Sequence, residues 1–515
     1  MNMQTSNFLN IKALVIGLGD TGASCVRWLL EHDATVRASD SRDEPPHAQH
    51  LREAFPEVKL SLGGFQSADF DWADLVVVSP GVALATPAIQ QAIAAGKDVV
   101  GDVELFARAI GNGPHALSRS LPPEGAQCPP WGGPASGMGC RAKVIAITGS
   151  NGKSTVTSLV GHLCSAVGLD TVVAGNIGLP VLEALDNRET INRDPDVWVL
   201  ELSSFQLETT SSLYPDAATV LNISQDHMDR YASLDDYAAA KARIFAGNGV
   251  QVLNLDDAAV MAMALPGRAI STFSIGMDTA AAQIAEPAAQ LVFGLTQRKE
   301  RIWLAEGEAA LLPVDKLPIA GLHNAANALA ALALCRAIGL PYDGLVPALK
   351  TFQGLPHRVQ RVAEISGRTF YDDSKGTNVG ATAAALLGFD VPVVLIAGGD
   401  GKGQDFSPLQ DAVKNTRAVV LIGRDAPLIE AAIGNACSLH HAVSMPEAVA
   451  KAFALSQPGD AVLLSPACAS WDMFRNYAHR AEAFIAAVHT LEDEGMEPPR
   501  SQNPLAAPQG RKHVS

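Results

Sequence analysis

Basic residues are scarce in this chain. Its 38 Lys and Arg stand against 54 Asp and Glu, a formal net charge of −16 over 515 residues. That balance argues against nucleic acid or an anionic membrane surface as a general partner, and it means that any anionic ligand must be met by local basic sites. The seven cysteines (Cys25, Cys128, Cys140, Cys164, Cys335, Cys437 and Cys468) include no CxxC pair and no metal-ligand cluster. An odd, scattered set fits a reducing compartment and not a disulfide framework. No apolar run is long enough to span a bilayer, and residues 1–10 are polar, without the apolar core of a signal peptide. No internal repeat of fixed period occurs. These absences lead to a cytoplasmic protein with no membrane insertion.

Present in quantity are hydrophobic residues, 48% of the chain, enough for large cores, and a length that predicts about three domains. Strand-like runs at 12–16, 35–39, 74–78, 144–147, 197–202, 218–223, 393–397, 418–422 and 461–464 alternate with helical periodicity. Short β-branched runs between helices predict an α/β protein of mostly parallel, doubly wound sheets. Two breaks divide it. The first, at 111–140, is dense in Gly, Pro and Ser and reads as a flexible linker or insertion. The second lies near Phe352–Gly354. The expected domains are a Rossmann-like block at 1–111, a linker at 112–141, a central P-loop ATPase-type block at 142–353, a Rossmann-like block at 354–491 and a disordered tail at 492–515.

The most informative stretch is Gly149-Ser150-Asn151-Gly152-Lys153-Ser154-Thr155, between a strand and a helix. Gly149 and Gly152 let backbone N–H groups close around phosphate oxygens. Lys153 adds a point charge at the outer phosphates, and Ser154 or Thr155 offers a hydroxyl to Mg²⁺. The general pattern wants a glycine five residues before Gly152, and Ile147 stands there, so this is a shortened P-loop; an ordinary strand–helix turn is the bland alternative. In the first block, Gly17-Leu18-Gly19-Asp20-Thr21-Gly22 follows a strand, and Asp40 ends the next one. That arrangement suits a dinucleotide, and equally any diphosphate at a helix N-terminus, including that of a UDP-sugar. A carboxylate at Asp20 would repel a diphosphate and is expected to point away from it.

Further segments complete the pattern: Gly175-Asn176-Ile177-Gly178, Glu201-Leu202-Ser203-Ser204-Phe205-Gln206, Asp226-His227-Met228-Asp229, Lys241, His323-Asn324 with Asn327, His357-Arg358, Asp372-Asp373-Ser374-Lys375-Gly376-Thr377, Gly399-Asp400-Gly401-Lys402 and Ser465-Pro466-Ala467-Cys468-Ala469-Ser470. In this order, from about residue 12 to 487, the chain resembles the Mur ligase family, which also has a short P-loop.

The resemblance implies a two-step ligation. ATP phosphorylates the carboxylate of UDP-N-acetylmuramoyl-L-alanine, and the amine of D-glutamate displaces phosphate from the acyl phosphate. It implies that the first block holds a UDP moiety and is not a redox domain, so no NAD is expected. In this reading Gly19, Asp20, Thr21 and Gly22 meet the diphosphate, Asp40 and Ser41 the uracil, and Ser79, Pro80 and Gly81 line the same cleft. Lys153, Ser154 and Thr155 serve the ATP phosphates. Two Mg²⁺ ions are implied, one on Glu201 with Ser154, the other on His227 with Lys241 as a carbamate. Read alone, His227 is a structural histidine at a strand end and Lys241 a surface lysine at a helix start. Asn176 orients the substrate. His323, Asn324 and Asn327 face adenine, with helix capping as the plain alternative for Asn324. Arg358 and Asp373 hold ATP phosphates and ribose. Lys375, Thr377, Lys402 and Ser470 bind D-glutamate, bordered by Phe474 and Tyr477. The expected state is a monomer. Gly398–Gly403 lacks the Ser/Thr after its lysine and is rejected as a second P-loop. The rivals are a sibling Mur-type or folylpolyglutamate-type ligase, a nicotinamide oxidoreductase resting on Gly17–Gly22 alone, and a non-catalytic nucleotide binder.

Overall fold

The computed structural model describes residues 8–111, 141–277, 291–319 and 321–493. The expected linker at 112–141 lies outside them except for Arg141. So does the expected tail, apart from Glu492 and Asp493, which complete the helix Tyr477–Asp493. The chain divides into two compact units, Met1–Leu355 and Pro356–Ser515. Among the described residues, the strands of the first unit form two sheets and those of the second unit one.

The first sheet runs β3-β2-β1-β4-β5, with β1 (Lys12–Ile16), β2 (Thr35–Asp40), β3 (Lys59–Leu62), β4 (Leu75–Val78) and β5 (Asp98–Val100), all parallel. The central sheet contains β6 (Lys143–Thr148), β7 (Thr171–Gly175), β8 (Val197–Glu201), β9 (Ala217–Val220), β10 (Val250–Asn254), β11 (Ile270–Met277), β12 (Leu291–Arg298), β13 (Arg301–Glu306) and β14 (Ala309–Pro313). Its order is β14-β13-β12-β11-β10-β9-β6-β8-β7, and β12 to β14 pair antiparallel, a meander the sequence reading did not separate. The second unit holds β15 (Gln360–Ile365), β16 (Arg368–Asp372), β17 (Val393–Gly398), β18 (Thr416–Ile422), β19 (Ser438–His441) and β20 (Ala461–Leu464), in the order β15-β16-β20-β17-β18-β19.

The central strands are buried on both faces, as parallel strands under helices must be. β4, β8 and β20 have no exposed residue, and β17 is buried throughout. In the first unit the two sheets share apolar contacts. Phe106 of the helix Asp102–Ala109 meets Trp198 of β8 edge-on, with ring centroids 5.0 Å apart. Among the described residues no helix is long and apolar enough to cross a membrane.

In each sheet the chain reverses its winding beside one strand: β1 between β2 and β4, β6 between β8 and β9, β20 between β16 and β17. Loops at the carboxyl ends of such neighbours splay apart and leave a crevice, where open α/β sheets bind their ligands. Most of the segments singled out in the sequence follow strands (β1, β2, β4, β6, β7, β8, β9, β16, β17 and β20), while Lys241 and His323 to Asn327 lie on helices.

Candidate active site

The turn after β6 is built to hold an anion. Gly152 is the N-cap of the helix Lys153–Ala166 and adopts φ +84°, and no side chain caps that helix. A Cβ at Gly152 would lie 2.7 Å from Asn327 Oδ1, so a larger residue is excluded by conformation and by space. A helix N-terminus of this kind presents backbone N–H groups suited to phosphate oxygens. Ser154 and Thr155 are buried in that turn. The Lys153 ammonium donates to the carbonyl oxygens of Gly149 and Ser150, both at 2.8 Å, which holds it over the loop.

A second loop braces the first. Asn151 N donates to Asn222 Oδ1 at 2.8 Å, and Asn222 Nδ2 returns a bond to Asn151 O at 3.1 Å. Ser224 N donates to Ser150 Oγ at 2.9 Å, and Ser150 N to Asn222 O at 2.9 Å. These bonds end β9 at Val220, where the sequence pattern had carried the strand to 223. Asn222 and Ser224 are therefore site residues that the sequence analysis did not single out. Nothing in their spacing reveals the reciprocal pairing.

Beyond the P-loop lie the expected metal ligands. Glu201 ends β8 and is 1% exposed; its Oε1 accepts from Asn176 Nδ2 at 2.7 Å, and its Oε2 has no hydrogen-bond partner. A buried carboxylate oxygen without a donor is costly unless a cation meets it, so this residue fits Mg²⁺. Among the described residues no three His, Cys, Asp or Glu side chains form a closed cage. Mg²⁺ ordinarily takes one or two protein ligands together with substrate phosphates. His227 lies not at a strand end but seven residues past β9, in an irregular segment held by the braces above, with φ +58°.

Lys241 is not a surface residue at a helix start. It occupies the last turn of the helix Leu234–Ala242 and is 1% exposed. Its ammonium donates to Gly149 O at 2.9 Å and Thr148 Oγ1 at 3.3 Å, and lies 4.6 Å from the Tyr237 ring centroid. Burial, reinforced by the nearby Lys153 charge, lowers its pKa well below that of an ordinary lysine. The shift favours the uncharged, nucleophilic form of the amine relative to an ordinary lysine.

Of the residues expected to face adenine, Asn327 Nδ2 donates to Asn324 Oδ1 at 3.1 Å. Asn324 is no cap, because Gly321 is the N-cap of the helix Leu322–Ala337 and Asn324 lies inside its first turn, with partly buried His323 beside it.

A cleft of about 980 Å³ opens in the first unit. Its lining includes Gly19, Asp20, Thr21, Asp40 and Ser41, then Ser79, Pro80 and Gly81, and lastly Asn176 with Gly178. Gly22 is the exception: a Cβ there would meet Gly17 O at 1.8 Å, so its part is to let helix and turn touch. Asp20 is 86% exposed and lies 2.7 Å from His47 Nε2, and both residues line the cleft, so the expected turn away from a diphosphate is not seen in their placement. Asp40 Oδ2 accepts from Leu18 N at 2.7 Å and Arg42 Nη2 at 2.8 Å, and its Oδ1 accepts from Arg42 N and Nε at 2.9 Å. Burial would raise this carboxyl, but those donors outweigh it and hold the pKa below the usual value.

In the second unit, the loops after β16, β17 and β20 converge. Asp400 and Ala469 exchange backbone hydrogen bonds of 2.9 and 2.8 Å, which brings the Lys402 turn beside Ser470. Lys375 Nζ stands 3.8 Å from the Tyr477 ring centroid, Thr377 N bonds Lys375 O, and Phe474 N bonds Ser470 O at 2.8 Å. No helix begins at Lys402, in keeping with the rejection of a second P-loop; the next one is Leu409–Ala412. Burial pushes Asp373 up to about 7, against the hydrogen bond from Ser465 and the charge of Arg358. Arg358 is flanked by His357 (φ +63°) and Val359 (φ +48°), a strained placement that a β-branched residue tolerates only where its surroundings enforce it.

Three family descriptions match in chain order: "Mur ligase MurD-like, N-terminal domain" over residues 11–101, "Mur ligase middle domain" over 147–335 and "Mur ligase, glutamate ligase domain" over 357–468. The chain is 55% identical over 495 residues to the UDP-N-acetylmuramoylalanine--D-glutamate ligase of Thiobacillus denitrificans, covering 95% of this chain and 98% of that relative. It is 53% identical to the protein of the same name from Chromobacterium violaceum, covering 94% and 99%. Among solved structures it is similar in fold to the UDP-N-acetylmuramate-alanine ligase of Thermotoga maritima, with TM-score 0.54 and 17% identity over 93% of this chain and 100% of that one. A pseudomurein peptide ligase type C of Methanothermus fervidus gives TM-score 0.52 and 16% identity over the same shares.

Proposed function

The chain belongs to the Mur ligase family, and we propose that it joins UDP-N-acetylmuramoyl-L-alanine to D-glutamate with consumption of ATP, a step in peptidoglycan precursor synthesis. The observation that carries this reading is the double placement of Asn176. It lines the 980 Å³ cleft and donates to Glu201 at the end of the strand beside the P-loop. A substrate held by its UDP end in that cleft extends its free carboxylate toward the phosphates.

The difficulty of the first step is that a carboxylate must attack a polyanion. The carboxylate oxygen bonds to the γ-phosphorus as the bond to the β-phosphate oxygen breaks and ADP departs. In the second step the neutral amine of D-glutamate attacks the acyl carbon, a proton leaves the nitrogen, and phosphate is expelled. Catalysis of this kind rests on positioning and charge neutralisation. Lys153 neutralises the outer phosphates, and the glycine turn with the helix N-terminus orients them. Asn176 aims the substrate carboxylate, and Asn324 and Asn327 border the base. Lys375, Thr377, Lys402 and Ser470 take the carboxylates of D-glutamate, with Phe474 and Tyr477 at its border. Glu201 with Ser154 would hold one Mg²⁺ and His227 with carbamylated Lys241 a second, and the ions supply charge compensation for the phosphates.

The division of labour is then UDP recognition at 1–111, ATP recognition at 142–353 and amino-acid recognition at 354–491. We assign the chain to the cytoplasm as a monomer without a nucleic-acid partner; the described cysteines are free, in keeping with a reducing compartment.

The test is isotopic. With ¹⁸O in the alanyl carboxylate of the UDP substrate, one ¹⁸O is expected in each released phosphate, because the acyl phosphate breaks at its carbon–oxygen bond. Unlabelled phosphate would show that the carboxylate is never phosphorylated.

A further inference from the structure

Arg230 has no part in the reading above, yet its guanidinium spans two of its components. Nη1 donates to Pro80 O at 2.7 Å and Nη2 to Val82 O at 3.2 Å, both on the loop after β4 that walls the cleft. Nη2 also meets Glu208 Oε2 at 3.1 Å, with both side chains largely buried, at 14% and 18% exposure. The guanidinium carbon lies 3.9 Å from the Phe205 ring centroid, and the same ring meets the His227 imidazole edge-on at 4.8 Å. In the backbone, Arg230 N donates to His227 O at 2.9 Å and closes the turn that keeps His227 at its positive φ.

We propose that Arg230 is a positioning residue that couples the UDP-cleft wall to the turn bearing His227, so that the wall and the metal-ligand turn are fixed by one side chain. The proposal rests on the reading under Proposed function and deepens it. The chemistry requires arginine. A planar guanidinium can donate to two carbonyls and a carboxylate while lying flat on an aromatic ring, and an ammonium cannot. The two carbonyls have fixed positions on the cleft wall. Their donors must therefore come from a rigid fork, and Glu208 with Phe205 sets the plane of that fork.

Glu208 and Phe205 belong to the short helix Ser204–Glu208, which starts three residues after Glu201. That helix is also pinned at its middle by Gln206 Nε2, which donates to Asp102 Oδ2 at 3.2 Å. The first-sheet block is tied to the segment after Glu201 at several points, since Glu104 Oε2 also accepts from Ser211 N at 2.7 Å and Ser212 N at 2.9 Å. Arg230 is the point nearest His227.

The test compares the wild-type chain with Arg230→Ala and Arg230→Lys. Calorimetric titration with UDP-N-acetylmuramoyl-L-alanine, without nucleotide or metal, reads the wall. Titration with a non-hydrolysable ATP analogue reads the P-loop, and turnover reads the whole site. R230A is expected to weaken UDP-substrate binding by about tenfold or more, the effect of charge-assisted hydrogen bonds lost from a part-buried site. Its kcat is expected to fall about a hundredfold, with analogue binding within about twofold of wild type. R230K can still reach one carbonyl but cannot stack on Phe205. It is expected to recover most of the binding while kcat stays low, a split that a merely structural strut would not give. Unchanged UDP-substrate binding in R230A would overturn the proposal, and so would equal loss of UDP-substrate and analogue binding. A wild-type chain that fails to bind the UDP substrate would overturn the substrate reading, and the proposal with it.

Discussion

Replacing Lys153 by alanine is expected to lower kcat about a thousandfold while leaving the affinity for the UDP substrate within about twofold. The size follows from electrostatics. A unit charge about 4 Å from a phosphate, at an effective dielectric constant near 20, contributes about 4 kcal/mol, and each 1.36 kcal/mol is about tenfold in rate. The Lys153 ammonium is already held at the mouth of the P-loop by the Gly149 and Ser150 carbonyls, so little freedom is lost when phosphate arrives. Single-turnover ADP formation, with circular dichroism to confirm folding, is the measurement. Lys153→Arg keeps the charge but not the compact geometry and is expected to recover only a small part of the rate. A turnover in Lys153→Ala within tenfold of wild type would show that the phosphates are neutralised elsewhere.

The second large effect is expected at Lys241. Its amine is buried beside the P-loop, and its pKa is well below the ordinary lysine value. CO₂ adds only to a neutral amine, giving a carbamate and one released proton. The carbamate nitrogen keeps one N–H, enough to retain the bond to Gly149 O. The product is a carboxylate-like ligand beside the P-loop, within the electrostatic reach of Glu201, where the unmodified chain offers an amine. Lys241→Arg cannot be carbamylated and keeps a buried positive charge, so turnover should drop by about two to three orders of magnitude, the scale on which losing a preorganised electrostatic group acts. The pH dependence has a definite sign. As pH falls the amine takes up a proton, the carbamate is lost, and activity declines, recovering when pH and bicarbonate are restored together. Carbon-13 spectroscopy with labelled bicarbonate should show a carbamate signal in the wild type and none in Lys241→Arg. A wild type without that signal, active after degassing, would refute the modified-lysine account.

Much of this was legible in the sequence, for identifiable reasons. The α/β class was legible because parallel strands buried on both faces, such as Val76 to Val78 and Val394 to Ala397, read as uninterrupted apolar runs. The P-loop was legible because Gly149 and Gly152 are demanded by backbone conformation, which only one residue type satisfies. The family likewise followed from ordered motifs that the matched domain descriptions repeat.

What stayed hidden depends on contacts between distant residues. Lys241 read as a surface lysine because its helix carries few long apolar residues. Its burial comes from Tyr237, one turn back on the same helix, and from Thr148 and Gly149, and the contacts with that distant loop have no local signature. His227 read as a strand-end residue because 218–223 is apolar enough to continue a strand, yet the Asn222 and Ser224 braces to the P-loop end it early. Gly22 looked like a diphosphate contact because a fingerprint names residues by spacing, and spacing does not separate a glycine that meets ligand from one that meets Gly17. The antiparallel meander β12 to β14 was missed because hairpin strands of this length have no periodicity distinct from their parallel neighbours.

The most direct measurement is phosphate release by the purified chain with Mg²⁺-ATP and UDP-N-acetylmuramoyl-L-alanine, offering D-glutamate, L-glutamate and meso-diaminopimelate in parallel. The account predicts release with D-glutamate alone, in step with formation of the amide. Release with either of the other two in place of D-glutamate would move the chain to a sibling branch of the family. No release with any of them, from protein that binds ATP, would contradict the account at its centre.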